Sequence, residues 1–153
     1  MIISALLQPA DIIADLASTG KDEVLAELAG RVVERHPCLD RDELVRALRE
    51  RERLGSTGIG DGIAIPHGKL EQAREMALVF GRSRCGLDFN ALDGRPVHLF
   101  FLLIAPEREV GIHLKMLARI SRLLKDPAVR RRLLEAPDAE ALHSIIQEQD
   151  SRH

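Results

Sequence analysis

Of the six histidines, His36, His67, His98, His113, His143 and His153, the one best placed for chemistry is His67. It follows a glycine-rich stretch, residues 55–68, reading GSTGIGDGIAIPHG, with four glycines between Gly55 and Gly62. Glycine loses the most freedom on ordering and is used where a backbone must reach φ > 0 or come close to something. A loop of that kind can hold an anion on its exposed N–H groups. Ile63, Ala64 and Ile65 then form a short apolar run suited to a buried strand. Pro66 has no N–H and should stop the ladder, which puts His67 at a strand end where the chain leaves the sheet. Imidazole, with an ordinary pKa of ~6.5, is largely uncharged and nucleophilic near neutral pH. Beside such a loop it can accept a phosphoryl group. A tight turn with an incidental histidine accounts for the same residues.

Two phosphate-binding motifs fail here. A Walker A loop needs glycine, four residues, then Gly-Lys-Ser/Thr. Gly62 and Gly68 have five residues between them, and Leu70 stands where the hydroxyl belongs. A dinucleotide fingerprint beginning at Gly58 and Gly60 meets Ile63 in place of its third glycine. No nucleotide cofactor is expected.

His113 is the second candidate. It shares a helical face with Leu117, Ile120 and Leu124, so it points inward in the first turn of its helix. Unpaired N–H groups and the positive dipole end favour an anion there. A hydrogen-bonded core histidine is the plainer reading. If the run Val97–Ile104 lies beside Ile63–Ile65, His113 and His67 meet at one edge of the sheet. His98 alternates inside that run and reads as structural. His36 precedes Pro37 at a helix end, while His143 and His153 have no chemical neighbours. A zinc site from His67 and His113 would need a third ligand, and no HExxH, CxxC or paired-histidine motif supplies it.

The bulk properties narrow the class. The 153 residues suffice for one well-buried domain, with 45% apolar and 30% charged content. A formal net charge of −2, no Trp or Tyr and four Phe argue against nucleic-acid binding. No apolar run approaches the ~20 residues of a membrane helix, and the N-terminus lacks the basic region of a signal peptide. Cys38 and Cys85 have no metal or redox spacing. A cytoplasmic protein with reduced thiols is expected.

The elements must position the two histidines. Residues 1–10 read as a helical turn closed by Pro9, and 11–16 as a first strand. A helix starts near Thr19–Gly20 and ends near His36, before Pro37. A second opens at Asp40, with Glu43 at the reciprocal capping position, and closes on the charged run Arg49–Arg53. That run reads as a solvated face, with room for one arginine toward the glycine loop. Strands are expected over 76–81 and 97–104, joined by a turn-rich connection over 85–94. The second of these is the central strand. Three helices follow: 111–125, one opening at Asp126-Pro127, and one opening at Pro137-Asp138. Arg130–Arg132 read as a solvated face, and 149–153 should fray. The expectation is a single α/β domain over 1–153, three-layered α/β/α, with a mixed four- to five-stranded sheet.

Taken together, residues 51–69, RERLGSTGIGDGIAIPHGK, resemble the active-site signature of enzyme IIA of the fructose/mannitol class of the bacterial phosphotransferase system. The nitrogen-regulatory members are the nearest likeness. The likeness continues through Phe89–Val97 and His113-Leu114 and covers most of the chain. It implies that His67 is the phosphorylated histidine, through Nε2, with His113 and Arg51 as its active-site companions. Ser56, Thr57, Gly58, Gly60 and Gly62 would offer backbone N–H groups to the phosphate. It implies a phosphorylated HPr-like carrier as donor, no metal and no cofactor. The output would be regulatory, through target proteins, or it would be transfer to a sugar-transport IIB domain. No IIB-like cysteine motif is present, and a free-standing IIA with nitrogen-type residues at the loop would favour regulation. Two positions depart from the pattern: Asp61, often Asn, and His98, often Asp. Asp61 adds negative charge near a phosphate loop and is expected to weaken phosphate retention or shift partner choice.

Overall fold

The structure, a computed structural model, describes residues 3–152; His153 lies outside the described residues. Six strand segments occupy five positions in one mixed sheet, in the order β1-β5-β6-β3-β2, with β4 also beside β6. They are β1 (Ile12–Ile13), β2 (Gly58–Gly60), β3 (Ile63–Ala64), β4 (His67–Leu70), β5 (Ala77–Leu87) and β6 (Val97–Pro106). Strand β6 is the centre, antiparallel to β5 and parallel to both β3 and β4. Its side chains alternate between two cores, as a strand buried on both faces requires. Leu99, Phe101, Leu103 and Ala105 face one layer of helices: α3 (Val110–Lys125), α4 (Pro127–Glu135) and α5 (Ala139–Ser151). Phe100, Leu102 and Ile104 face the other: α1 (Lys21–Arg35) and α2 (Arg41–Arg53). The three-layer expectation holds, with one more strand segment than the upper expectation. No helix among the described residues is long and apolar enough to cross a membrane.

The differences have local causes. Pro66 interrupts the ladder without ending it. Ile63 pairs with Leu99 and His67 with Leu103, so β3 and β4 are two pieces of one strand path in a constant register. Proline lacks a donor but keeps its acceptor, and Leu103 N–H donates to the Pro66 carbonyl at 3.0 Å. His67 therefore opens a strand; the chain does not leave the sheet there. The hairpin β2–β3 was not expected. Its turn is Asp61–Gly62, with φ of 57° and 77°, and Asp-Gly is a strong hairpin signal because both central residues need positive φ. Strand β5 runs on through Cys85–Leu87, which was read as connection. Gly86 (φ 78°) looks like a breaker, but it makes room for the His98 ring, 2.8 Å from where a Cβ would stand.

At the N-terminal end there are two 3₁₀ turns, and Pro9 opens the second. Only Ile12–Ile13 of the expected first strand pair, with Phe80 and Gly81. The capping box on α2 is absent: the Asp40 side chain makes no cap bond, and Glu43 accepts from Gln72 Nε2. The caps of α4 and α5 form as expected, from Asp126 to Ala128 N–H and from Asp138 to Ala141 N–H. Helix α5 is formed as far as Ser151. Asp150 is 1% exposed, held by Arg119 Nε at 2.6 Å and by the Ser4 N–H at 3.0 Å.

Candidate functional site

Three elements converge on His67. Strand β4 carries the ring itself. Helix α2 ends beside it and brings Arg51 in its last turn, and α3 brings His113 in its first turn. The His67 and His113 rings stand edge to face, their centroids 5.3 Å apart. Arg51 Nε donates to His67 Nε2 at 3.3 Å, while Arg51 Nη1 donates to the Gly55 carbonyl at 2.9 Å. The structure thus brings His67, His113 and Arg51 together.

The hydrogen bonds set the state of each ring. His67 Nδ1 lies 2.8 Å from the Ile65 carbonyl, which can only accept, so Nδ1 carries the proton. Nε2 is then the bare nitrogen, its lone pair capped by Arg51. His113 is 4% exposed, and its Nδ1 is buried without a partner. In a neutral ring that nitrogen is the bare one, since a buried N–H without an acceptor costs more. The proton sits on Nε2, the donor His113 can offer to the recess it lines.

Both rings are held neutral. Burial pushes the His67 pKa down, with Arg51 and Lys69 adding to the effect and the Ile65 bond and Glu52 opposing it. Burial, His67 and Lys69 push His113 down to about 4. A group with a depressed folded pKa binds fewer protons folded than unfolded between the two values. Stability contributed by neutral His113 is therefore complete above ~6.5, the unfolded value, and is lost as pH falls toward about 4. In melting curves across that window the His113→Gln variant is expected to lose less stability on acidification than the parent protein.

Two recesses flank His67. The larger, about 620 Å³, is walled by Arg51, His67, Lys69 and His113, with exposed Leu54, Val110 and Leu114 on its rim. The smaller, about 300 Å³, is lined by Arg51 and His67 together with Ser56, Thr57 and Ser121. Ser56 and Thr57 thus reach the neighbourhood of His67; Gly58, Gly60 and Gly62 line neither recess. Two of the loop's N–H groups are engaged internally. Thr57 N–H donates to Glu52 Oε1 at 3.0 Å and Gly58 N–H to Ser56 Oγ at 3.0 Å. Gly58 serves packing instead: a Cβ there would stand 2.9 Å from the Ala91 Cα. Asp61 is exposed in the hairpin turn, its N–H donating to Asp93 Oδ2, and it lines neither recess.

The other histidines lie elsewhere. His98 Nδ1 bonds the Ser83 carbonyl at 2.9 Å, His143 Nε2 bonds the Leu7 carbonyl at 2.8 Å, and His36 lies 3.8 Å from Glu75. Cys38 and Cys85 are free and exposed. Among the described residues no group of three His, Cys, Asp or Glu is placed to hold a metal. Sequence reasoning passed over Glu52 and Lys69. Lys69 lies two residues from His67 on the same strand, so period-2 alternation pointed to it. Nothing in the charged run of α2 distinguished Glu52.

Comparison with other proteins shows the family. Residues 5–149 match the family described as phosphoenolpyruvate-dependent sugar phosphotransferase system, EIIA 2. A nitrogen regulatory protein of Bradyrhizobium diazoefficiens is 40% identical over 146 residues, 95% of each chain. The fructose-specific EIIABC component of Bacillus subtilis is 39% identical over 150 residues, 98% of this chain and 24% of that longer one. The crystal structure of nitrogen regulatory protein IIA-Ntr from Neisseria meningitidis superposes with a TM-score of 0.88 at 33% identity, covering 94% of this chain and 98% of that one. The mannitol IIA of Escherichia coli, 21% identical with a TM-score of 0.77, shares the fold. By its sequence over nearly its whole length, the chain belongs to the EIIA 2 family of the phosphoenolpyruvate-dependent sugar phosphotransferase system.

Proposed function

We propose that the protein is a phosphocarrier that takes a phosphoryl group from a phosphorylated HPr-like carrier onto His67 Nε2 and has a regulatory output. The observation that carries this is the state of the His67 ring: Nδ1–H committed to Ile65, Nε2 bare, and Arg51 and His113 within reach of it. The donor docks on the apolar rim of Leu54, Val110 and Leu114. The Nε2 lone pair attacks phosphorus in line while the N–P bond to the donor breaks. The protein's part is placement and charge stabilisation. Arg51, which caps the lone pair at rest, shifts its N–H donors to the equatorial oxygens. His113 donates its Nε2–H to one of them. Ser56 and Thr57 border the smaller recess beside the phosphate. No metal or nucleotide takes part in this step.

Likeness to nitrogen regulatory proteins over about 95% of both chains supports a regulatory output. A phosphoryl group adds about −1.5 to −2 charge, enough to change what binds the apolar rim. The comparable likeness to a fructose-specific component supports a second reading, transfer from His67 to a IIB domain. One experiment separates them. The protein is incubated with phosphoenolpyruvate and the two upstream carriers, and acid-labile phosphate is mapped by mass. A fructose-type IIB domain is then added. Label is expected on His67. Its retention after IIB addition supports regulation, and its loss supports transport. His113→Ala is expected to acquire the label at a rate lower by about 100–1,000-fold, the usual range for losing one transition-state donor.

A further inference from the structure

Glu52 is a carboxylate with 6% of its side chain exposed, buried one residue from Arg51. A buried charge is retained only where it is paired and hydrogen-bonded. Glu52 is both. Lys21 Nζ stands 3.0 Å from Oε1, reaching from the start of α1 across the Phe89 ring, 4.6 Å from its centroid. Thr57 N–H donates to Oε1 at 3.0 Å, and the Thr57 hydroxyl donates to Oε2.

What matters is where these bonds lead. The Thr57 carbonyl accepts from the Ile65 N–H at 3.0 Å. The Ile65 carbonyl in turn accepts from His67 Nδ1–H at 2.8 Å. On the other side, Gly55 N–H donates to the Glu52 carbonyl at 3.1 Å, and the Gly55 carbonyl accepts from Arg51 Nη1 at 2.9 Å. The line of bonds from the carboxylate leads to the His67 ring, while the line through the Glu52 main-chain carbonyl, which any residue would supply, leads to the Arg51 guanidinium. Removing the carboxylate frees Thr57, and with it the carbonyl that orients the nucleophile.

We propose that Glu52 is a positioning residue for phosphoryl transfer, its carboxylate holding the His67 ring in place through Thr57 and Ile65. This rests on His67 being the acceptor, as proposed above. Besides geometry, Glu52 supplies charge: it opposes Arg51 and Lys69 at the His67 ring and keeps Nε2 more basic. Lys21, at the start of α1, balances the charge of the carboxylate. A purely structural carboxylate would satisfy Thr57 equally well but leave the chemistry of His67 untouched.

The test uses the full chain with Glu52→Gln, which keeps the shape and removes the charge, and Glu52→Asp, which keeps the charge and shortens the reach. The His67 ring is titrated by nitrogen NMR on the unphosphorylated protein, and phosphoryl uptake is timed separately. In Glu52→Gln the His67 midpoint is expected to fall below that of the parent, and uptake to slow by about ten-fold or more. Glu52→Asp should hold the midpoint near the parent value and recover part of the rate. A folded Glu52→Gln protein with the parent midpoint and an uptake rate within about two-fold of the parent overturns the proposal. If Glu52→Gln does not fold, Thr57→Val decides the matter, because it keeps the charge and removes one bond. Slower uptake with an unchanged midpoint supports positioning, and the parent rate refutes it. The titration involves no phosphate, so failure of His67 to accept phosphate at all would show separately.

Discussion

Replacing His67 with alanine is expected to abolish uptake of acid-labile phosphate while leaving the fold in place. The first half follows from the absence of a substitute. His113 is 4% exposed, and its outward nitrogen already carries a proton in the neutral ring, so it offers no lone pair to an approaching phosphorus. The remaining described histidines bond distant carbonyls or a surface glutamate. The second half follows from backbone bonding. Strand β4 is held to β6 from His67↔Leu103 to Leu70↔Pro106. None of that ladder depends on the imidazole. The substitution forfeits two side-chain bonds, one to the Ile65 carbonyl and one from Arg51 Nε, each worth about 1 kcal/mol. Mass spectrometry before and after mild acid reads the first half and thermal melting the second. Phosphate uptake at the parent level by a folded His67→Ala protein would remove the proposed function.

The largest effect on stability is expected at Arg82, in the interior of β5 and 0% exposed. Its Nε donates to the Ala14 carbonyl at 3.0 Å, and its Nη1 donates to the carbonyls of Leu133 and Ala136 at the end of α4. Those last carbonyls have no partner within their own helix, so a guanidinium from the sheet satisfies them. Its Nη2 has no partner, and the nearest carboxylate, Asp15, is 3.9 Å away and mostly exposed. Arg82 is thus a buried cation held mainly by carbonyl oxygens that nothing nearby can replace. Arg82→Ala leaves three carbonyls without their donor and opens a cavity between sheet and helices. The expected loss is about 3–5 kcal/mol, or a fall in melting temperature of about 10–15 °C for a domain of this size. Phosphoryl uptake measured well below that melting point should match the parent, because Arg82 touches none of Arg51, His67 or His113. A change in melting temperature of only a degree or two would show that the helix end pairs with water instead.

Local patterns announced some of this architecture, and long-range contacts made the rest. His113 was legible because a single helical face carries it with Leu117, Ile120 and Leu124, and helical spacing reports facing directly. The three layers were legible from the order of helical and strand patterns. Glu52 and Arg82 were not legible. Glu52 sits in a run of alternating charge that reads as solvated, and it is buried only because Lys21 and Thr57 close over it. Arg82 looks like the exposed end of a strand, and its partners are backbone carbonyls, which no sequence pattern marks. The C-terminal segment looked ready to fray for the same reason: the stabilising partners of Asp150, Arg119 and Ser4, come from distant positions. Asp61–Gly62 is a different case. The hairpin signal is present in the sequence, but it lies inside a glycine-rich stretch that reads equally well as an anion-binding loop.

The bond between His67 Nδ1 and the Ile65 carbonyl leaves the ring one lone pair. Under the proposed function, the donor and any acceptor must use that lone pair in turn. Each passage is an in-line displacement, and each inverts phosphorus. A donor made chiral at phosphorus with oxygen isotopes would therefore give an inverted phosphohistidine. Passed on to an acceptor, the group would regain its original handedness. The two visitors would exclude one another from the ring, so unphosphorylated donor should inhibit the acceptor competitively.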